Sequence, residues 1–288
     1  MGHRTRNLKH AIAFGFVFLC LGRSCAATSI VVLITPNVIV IGADWQIAVR
    51  NGAGQSLPGT RGRKIAAFHH RIVLASAGSL TIGANGYTLH DVFSSMADTD
   101  PAIAVSGFVE ALRTYLTQKF QDFDLVLKTG KIKAEALPPP HDTLLEFLIV
   151  GFEDDAPKEY SVKLKIDWTA LHLQDPIVTM LYPNDRKNFY LDAIGDPQRG
   201  IGELTDFEGE LYKTTFQEMP GELEAWRFDR PLHVDSVRPF ACALLNIEVS
   251  RNGAKSGYPL TIITVPKVGG LKEDNYQENC EHVTKQKR

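Results

Sequence analysis

The chain has 288 residues, 44% hydrophobic and 22% charged, with 31 Lys and Arg against 33 Asp and Glu and a formal charge of -2. That balance gives no electrostatic basis for nucleic-acid binding, and the length suits one large domain with ample core. Four cysteines and nine histidines show no metal-ligand spacing, so neither metal nor cofactor is expected.

The first segment, Met1 to Ala27, reads as a secretion signal. Arg4, Arg6 and Lys9 form a basic start, Ile12 to Leu21 an apolar centre too short to span a bilayer comfortably, and Ser24-Cys25-Ala26-Ala27 a small-residue cleavage region. Cleavage after Ala27 leaves Thr28 first and cleavage after Ala26 leaves Ala27 first; an uncleaved anchor is the other reading. Removing residues 1–27 takes away Arg4, Arg6, Lys9 and Arg23 and no acid, moving the charge from -2 to -6. The expected product is exported, periplasmic or secreted.

Ser29 to Thr35 is a β-branched and apolar run that meets Pro36-Asn37 and continues as Val38 to Ile41, which predicts a hairpin. A two-residue turn at Pro36-Asn37 sets Thr35 against Val38 and carries Thr28 opposite Trp45, beside Asp44. A second hairpin runs from Lys64 to Phe68, turns at His69-His70 and returns through Arg71 to Ala75, so that Lys64 and the Gly78 region share one open end.

These strands are apolar on both faces, so their sheet should be covered above and below. Ser79 to Met96 reads as holding an earlier helix, its start weakened by Gly83 and Gly86. Asp100 and Pro101 read as the cap and start of a helix with Val105, Phe108, Val109, Leu112 and Leu116 on one face. After Pro138-Pro139-Pro140 come predicted strands at about Leu144 to Phe152, Glu159 to Ile166 and Phe189 to Ile194, a helix from Val237 to Val249, and a strand from Tyr258 to Val265. The domain is expected to span residues 28–271, with a charged, disordered tail over 272–288. Cys242 reads as a buried thiol on the late helix; pairing with Cys280 is open in an oxidising compartment. The order of strands, helices, strands, then helix and strand favours sheets stacked between helical layers.

Thr28-Ser29-Ile30-Val31-Val32, Val38-Ile39-Val40-Ile41-Gly42-Ala43-Asp44, Arg63-Lys64-Ile65 and Ser76-Ala77-Gly78-Ser79 resemble the catalytic β subunits of the proteasome and the wider family of N-terminal nucleophile hydrolases. Leu148 to Phe152 and Ala193-Ile194-Gly195 match more loosely, and the Asp44 to Lys64 segment looks longer than the family's. The resemblance implies an α+β, four-layer αββα sandwich. It also implies a threonine-type peptidase or amidase acting on a peptide or small amide, with Thr28 as nucleophile, Asp44 and Lys64 supporting it, and Gly78 at the oxyanion. Ser76 is a candidate for the specificity pocket. Asp196 stands where active members carry a serine, Gln46 replaces a common arginine, and Ser250 to Gly257 lacks the usual aspartate and serine pairing.

The chemistry explains why these groups belong together. A free α-amine has a reference pKa of about 7.7 to 8.0 and can act as base toward its own residue's hydroxyl. A nearby Lys64 ammonium lowers the amine's pKa and favours ionisation of the hydroxyl, while Asp44 keeps the lysine charged and oriented. The Gly78 N–H can donate to a tetrahedral oxyanion, a contribution of about 2.7 to 4 kcal/mol per donor. Taken singly, each residue also has a purely structural reading: Asp44 as a turn cap, Lys64 as a strand-edge charge, Gly78 as a bend. The family's noncatalytic subunits supply the second expectation, a silent scaffold or binding protein. Export removes the ATPase partner of cytosolic relatives, and a stand-alone enzyme, a ring or a dimer of identical copies are the forms expected.

Overall fold

The computed structural model describes residues 29–50, 56–78, 81–82, 87–121, 123–129, 143–167, 169–182, 190–195, 234–251 and 257–277. In chain order, β1 (Ser29–Ile34) and β2 (Val38–Asp44) form the first hairpin, β3 (Gln46–Arg50) and β4 (Ser56–Arg61) a second, and β5 (Ile65–Phe68) and β6 (Ile72–Gly78) a third. Short strands β7 (Thr81–Ile82) and β8 (Tyr87–Thr88) precede α1 (Leu89–Ala97), α2 (Val105–Lys119) and α3 (Phe123–Lys128). Then follow β9 (Thr143–Glu153), β10 (Ala156–Asp167), β11 (His172–Leu173), β12 (Ile177–Met180) and β13 (Tyr190–Gly195). The last described elements are α4 (Val234–Arg251), β14 (Leu260–Pro266) and β15 (Lys272–Tyr276).

The first hairpin has the register that its turn residues dictate. Ile34 pairs with Ile39 and the ladder runs to Ile30 opposite Ala43. Thr35 closes the turn: its N–H donates to the Val38 carbonyl at 2.9 Å, and its hydroxyl oxygen accepts from the Val38 N–H at 3.0 Å. The third hairpin turns through His69 and His70, both at positive φ (52° and 58°), the conformation a tight hairpin needs at both central positions. Arg71 N–H closes that turn on the Phe68 carbonyl. Asp154 and Asp155, also at positive φ, join β9 to β10 in the same way.

Among the described residues two large antiparallel sheets result, beside the two-stranded β3–β4 and β7–β8 pairs. One has the order β13-β1-β2-β14-β15; the other runs β11-β10-β9-β6-β5, with β12 also on β10. Ile30, Val32, Ile39 and Ile41 of the first sheet share an interior with Ile65, Val73, Leu148 and Val150 of the second. The alternate residues Val31, Leu33 and Val40 pack under Val237, Phe240 and Leu244 of α4. On the far side, Leu74, Phe147 and Ile149 meet Val92 of α1 and Phe108 and Leu112 of α2. The strands are thus buried on both faces, as their unbroken apolar runs require.

Several expectations are corrected. The four-layer αββα sandwich does not hold: among the described residues the structure is mostly antiparallel β-sheet with few helices, 48% strand against 26% helix. Part of the reason is local. The stretch read as holding a helix, Ser79 to Met96, does hold α1, but the β7–β8 pair precedes it and α1 begins only where Thr88 and Asp91 form a reciprocal capping box. Asp100 does not cap α2, whose N-cap is Ala104 without a side-chain bond. The carboxylate of Asp100 instead accepts from the Ala102 N–H at 2.8 Å, holding a turn before the helix. The run from Lys272, read as disordered tail, opens with β15, which pairs with β14 from Leu260 opposite Tyr276 to Thr264 opposite Lys272. Cys242 is buried on α4 and is disulfide-bonded rather than a free thiol; the chain's other cysteines lie outside the described residues.

Candidate active site

The first and third hairpins bring their open ends together. Asp44 is the last residue of β2, Lys64 directly precedes β5, and Gly78 ends β6. The Lys64 Nζ lies 2.9 Å from Asp44 Oδ1, and both side chains are fully shielded from solvent. Lys64 Nζ also donates to the Gln46 carbonyl. Asp44 Oδ1 accepts a second bond, from the Ser29 N–H at 2.8 Å. Its other oxygen accepts from the N–H groups of Gln46 at 3.0 Å and Gly257 at 3.3 Å. One carboxylate therefore ties together the start of β1, the end of β2, the approach to β5 and the approach to β14.

Burial acts oppositely on the two charges. It pushes the Asp44 carboxyl up, against the Lys64 charge and the N–H groups of Ser29 and Gly257. It pushes the Lys64 ammonium down, against the attraction of Asp44. Lys64 is thereby a stronger acid than an exposed lysine, yet it is held in place by its counter-ion.

Gly78 has φ 107°, and a Cβ there would lie 2.5 Å from the Leu144 carbonyl oxygen and 2.9 Å from Leu145 Cα. Backbone occupies the space on that side, so only glycine fits the bend by which β6 leaves β9. Ser76 is buried, its N–H donates to the Lys64 carbonyl at 2.8 Å, and its hydroxyl has no partner among the described residues. Ser76 lies opposite Phe147 on the face that packs toward α1 and α2.

Asp44, Lys64, Gly78 and Ser76 thus gather at one end of the sheets. Thr28 and Asp196 lie outside the described residues; their neighbours Ser29 and Gly195 pair across β1 and β13. Sequence reasoning missed the carbonyl of Gln46 and the N–H of Gly257. Both are backbone groups, which any residue type supplies, so no side-chain pattern signals them. Gly257 carries one clue: a Cβ would stand 3.1 Å from the Gln46 side-chain oxygen.

No family model matches the chain, and no curated protein matches its sequence. Among solved structures it is similar to the Gly-1 mutant of Anbu from Hyphomicrobium sp. strain MC1, at 11% identity and a TM-score of 0.50, over 89% of this chain and 90% of that one. Anbu is a proteasome-like bacterial protein. At this identity the likeness concerns the backbone alone, and it supports one conclusion: the chain has a proteasome-like fold.

Proposed function

We propose that this protein is an exported N-terminal threonine hydrolase that cleaves peptide or small amide bonds, with Thr28 as nucleophile. The observation that carries this reading is the buried Lys64–Asp44 pair, whose carboxylate accepts from the N–H of Ser29, the residue after Thr28. Holding a cation out of solvent costs free energy that its counter-ion Asp44 must offset, and such perturbed pairs cluster at functional sites.

In this mechanism signal cleavage after Ala27 frees the Thr28 amine. The amine takes the hydroxyl proton and the Thr28 oxygen attacks the substrate carbonyl carbon. The Lys64 charge favours the alkoxide, and the Gly78 N–H donates to the tetrahedral oxyanion. The amide C–N bond then breaks, the departing amine takes the proton from the Thr28 ammonium, and water hydrolyses the ester left on Thr28. Ser76, buried with no hydroxyl partner among the described residues, is assigned to the wall of the specificity pocket.

Export is supported by the basic, apolar and small-residue succession of Met1 to Ala27 and by the bonded state of Cys242, since disulfides persist mainly in oxidising compartments. The second reading is a silent proteasome-like scaffold. It is favoured by Asp196, which stands where active members of the resembled family carry a serine.

Amino-terminal sequencing of the exported protein, followed by assay of Thr28→Ala on peptide and amide substrates, tests the proposal. The expected result is Thr28 as first residue and loss of hydrolysis by at least about 10²-fold in the variant. A different first residue, or a variant as fast as the wild type, removes Thr28 as nucleophile.

A further inference from the structure

Among the described residues, the mostly apolar interior between the sheets carries a polar row along β10. Cross-strand pairing sets Glu159 opposite Val150, Ser161 opposite Leu148 and Lys163 opposite Glu146. Leu148 and Val150 belong to the inter-sheet core, so this row of polar side chains turns toward the first sheet. The first sheet meets it with another acid. Asp192 of β13 pairs with Val32, itself an inter-sheet residue.

Glu159 is 0% exposed, and neither carboxyl oxygen has a hydrogen-bond partner among the described residues. The nearby donors are used elsewhere. Lys163 Nζ lies 3.0 Å from Glu146 Oε1, and the Ser161 hydroxyl donates to the same oxygen at 2.9 Å. On β13, the Tyr190 hydroxyl bonds Asp192, as does the Ala193 N–H at 2.7 Å. Beyond β12, the Leu181 N–H reaches only the backbone carbonyl of Glu159, and Tyr182 packs edge-on to Tyr190. The charge that acts on Glu159 is therefore that of Asp192.

A carboxylate so placed would be a buried anion without donor or counter-ion among the described residues, facing a second anion; a carboxylic acid there meets neither penalty. Burial first, and the Asp192 charge second, push Glu159 well above the usual carboxylate range. Burial raises Asp192 also, with Glu146 adding to it and the Ala193 N–H and Lys163 opposing.

We propose that Glu159 is a proton-binding site between the two sheets: with its proton it lets β10 close against β13, and loss of the proton loosens β13 from the second sheet. β13 is the strand that pairs Gly195 with Ser29, so the proton bears on the strand bordering the start of β1. Because the folded carboxyl holds its proton more tightly than the unfolded one, the stabilisation is complete below the unfolded pKa of about 4.3 and is lost as pH rises through the folded value.

Thermal unfolding of the full chain and of Glu159→Gln, followed by circular dichroism between pH 5 and 9, tests this without reference to catalysis. The wild-type Tm is expected to fall by roughly 3 °C more than that of the glutamine variant over this range, because the amide stays neutral. Equal slopes in two folded proteins overturn the proposal. Should Glu159→Gln fail to fold, Asp192→Asn decides. Removing the facing charge is expected to shrink the alkaline loss, and an unchanged loss overturns the proposal as well.

Discussion

At the scale of single residues, Asp44 and Lys64 depend on each other more than on anything else nearby. Each is fully shielded, and each would be strongly disfavoured alone. Lys64→Met keeps the volume but leaves the Asp44 carboxylate without its cation. The expected loss is about 3–5 kcal/mol, read as a lower urea midpoint at pH 7. The deficit should shrink toward low pH, because burial already pushes the Asp44 carboxyl up and a protonated acid needs no counter-ion. Adding Asp44→Asn to the variant should cost less than the sum of the two single changes, as coupled neighbours do. The sequence exposed this pair through hairpin spacing together with the resemblance to proteasome β subunits. It did not expose the carbonyl of Gln46 or the N–H of Gly257, which complete the pair's surroundings with backbone.

At the scale of elements, close approach decides which glycines matter. Gly42 on β2 faces α4, where a Cβ would meet the Leu245 Cδ1 at 2.5 Å, the movable end of a side chain. Gly78 combines a positive φ with backbone atoms at 2.5 and 2.9 Å, and neither can move without breaking the pairing of β6 with β9. Gly78→Ala is therefore expected to destabilise by about 1–3 kcal/mol and by more than Gly42→Ala, as chemical unfolding of both variants would reveal. Element boundaries were legible where local chemistry is strong: Pro36-Asn37 and His69-His70 fix two hairpins, and the apolar stripe of Val105 to Leu116 fixes α2. Between Ser79 and Met96 the helix was legible but its start was not. There the Thr88–Asp91 capping box marks the start of α1, past the Gly83 and Gly86 that weaken the helical pattern before it.

At the scale of the molecule, strand outweighs helix among the described residues, and the late described segments close the fold on its strands. β15 adds an edge to the first sheet, and Arg63 before β5 pairs with Glu273 of β15 at 2.6 Å. Cys242 joins α4 to another part of the chain through its disulfide. Alkylation without reduction is expected to leave Cys242 unmodified in mass spectra of the native protein. Reduction should lower stability by about 2–4 kcal/mol; a freely alkylated Cys242 would contradict the bonded state.

The amino-acid sequence by itself determined the hairpin registers, the burial of the strands on both faces, and the order in which Asp44, Lys64 and Gly78 reach one end of the sheets. These follow from turn residues and periodicity, which act over a few positions. Only the tertiary structure decided that helices are few among the described residues, that Asp44 gathers donors from four separate segments, and that Glu159 faces Asp192 with no counter-ion among those residues. The reason is physical: the state of a buried charge is set by neighbours remote in sequence and by the absence of water, and neither is written in the residues beside it.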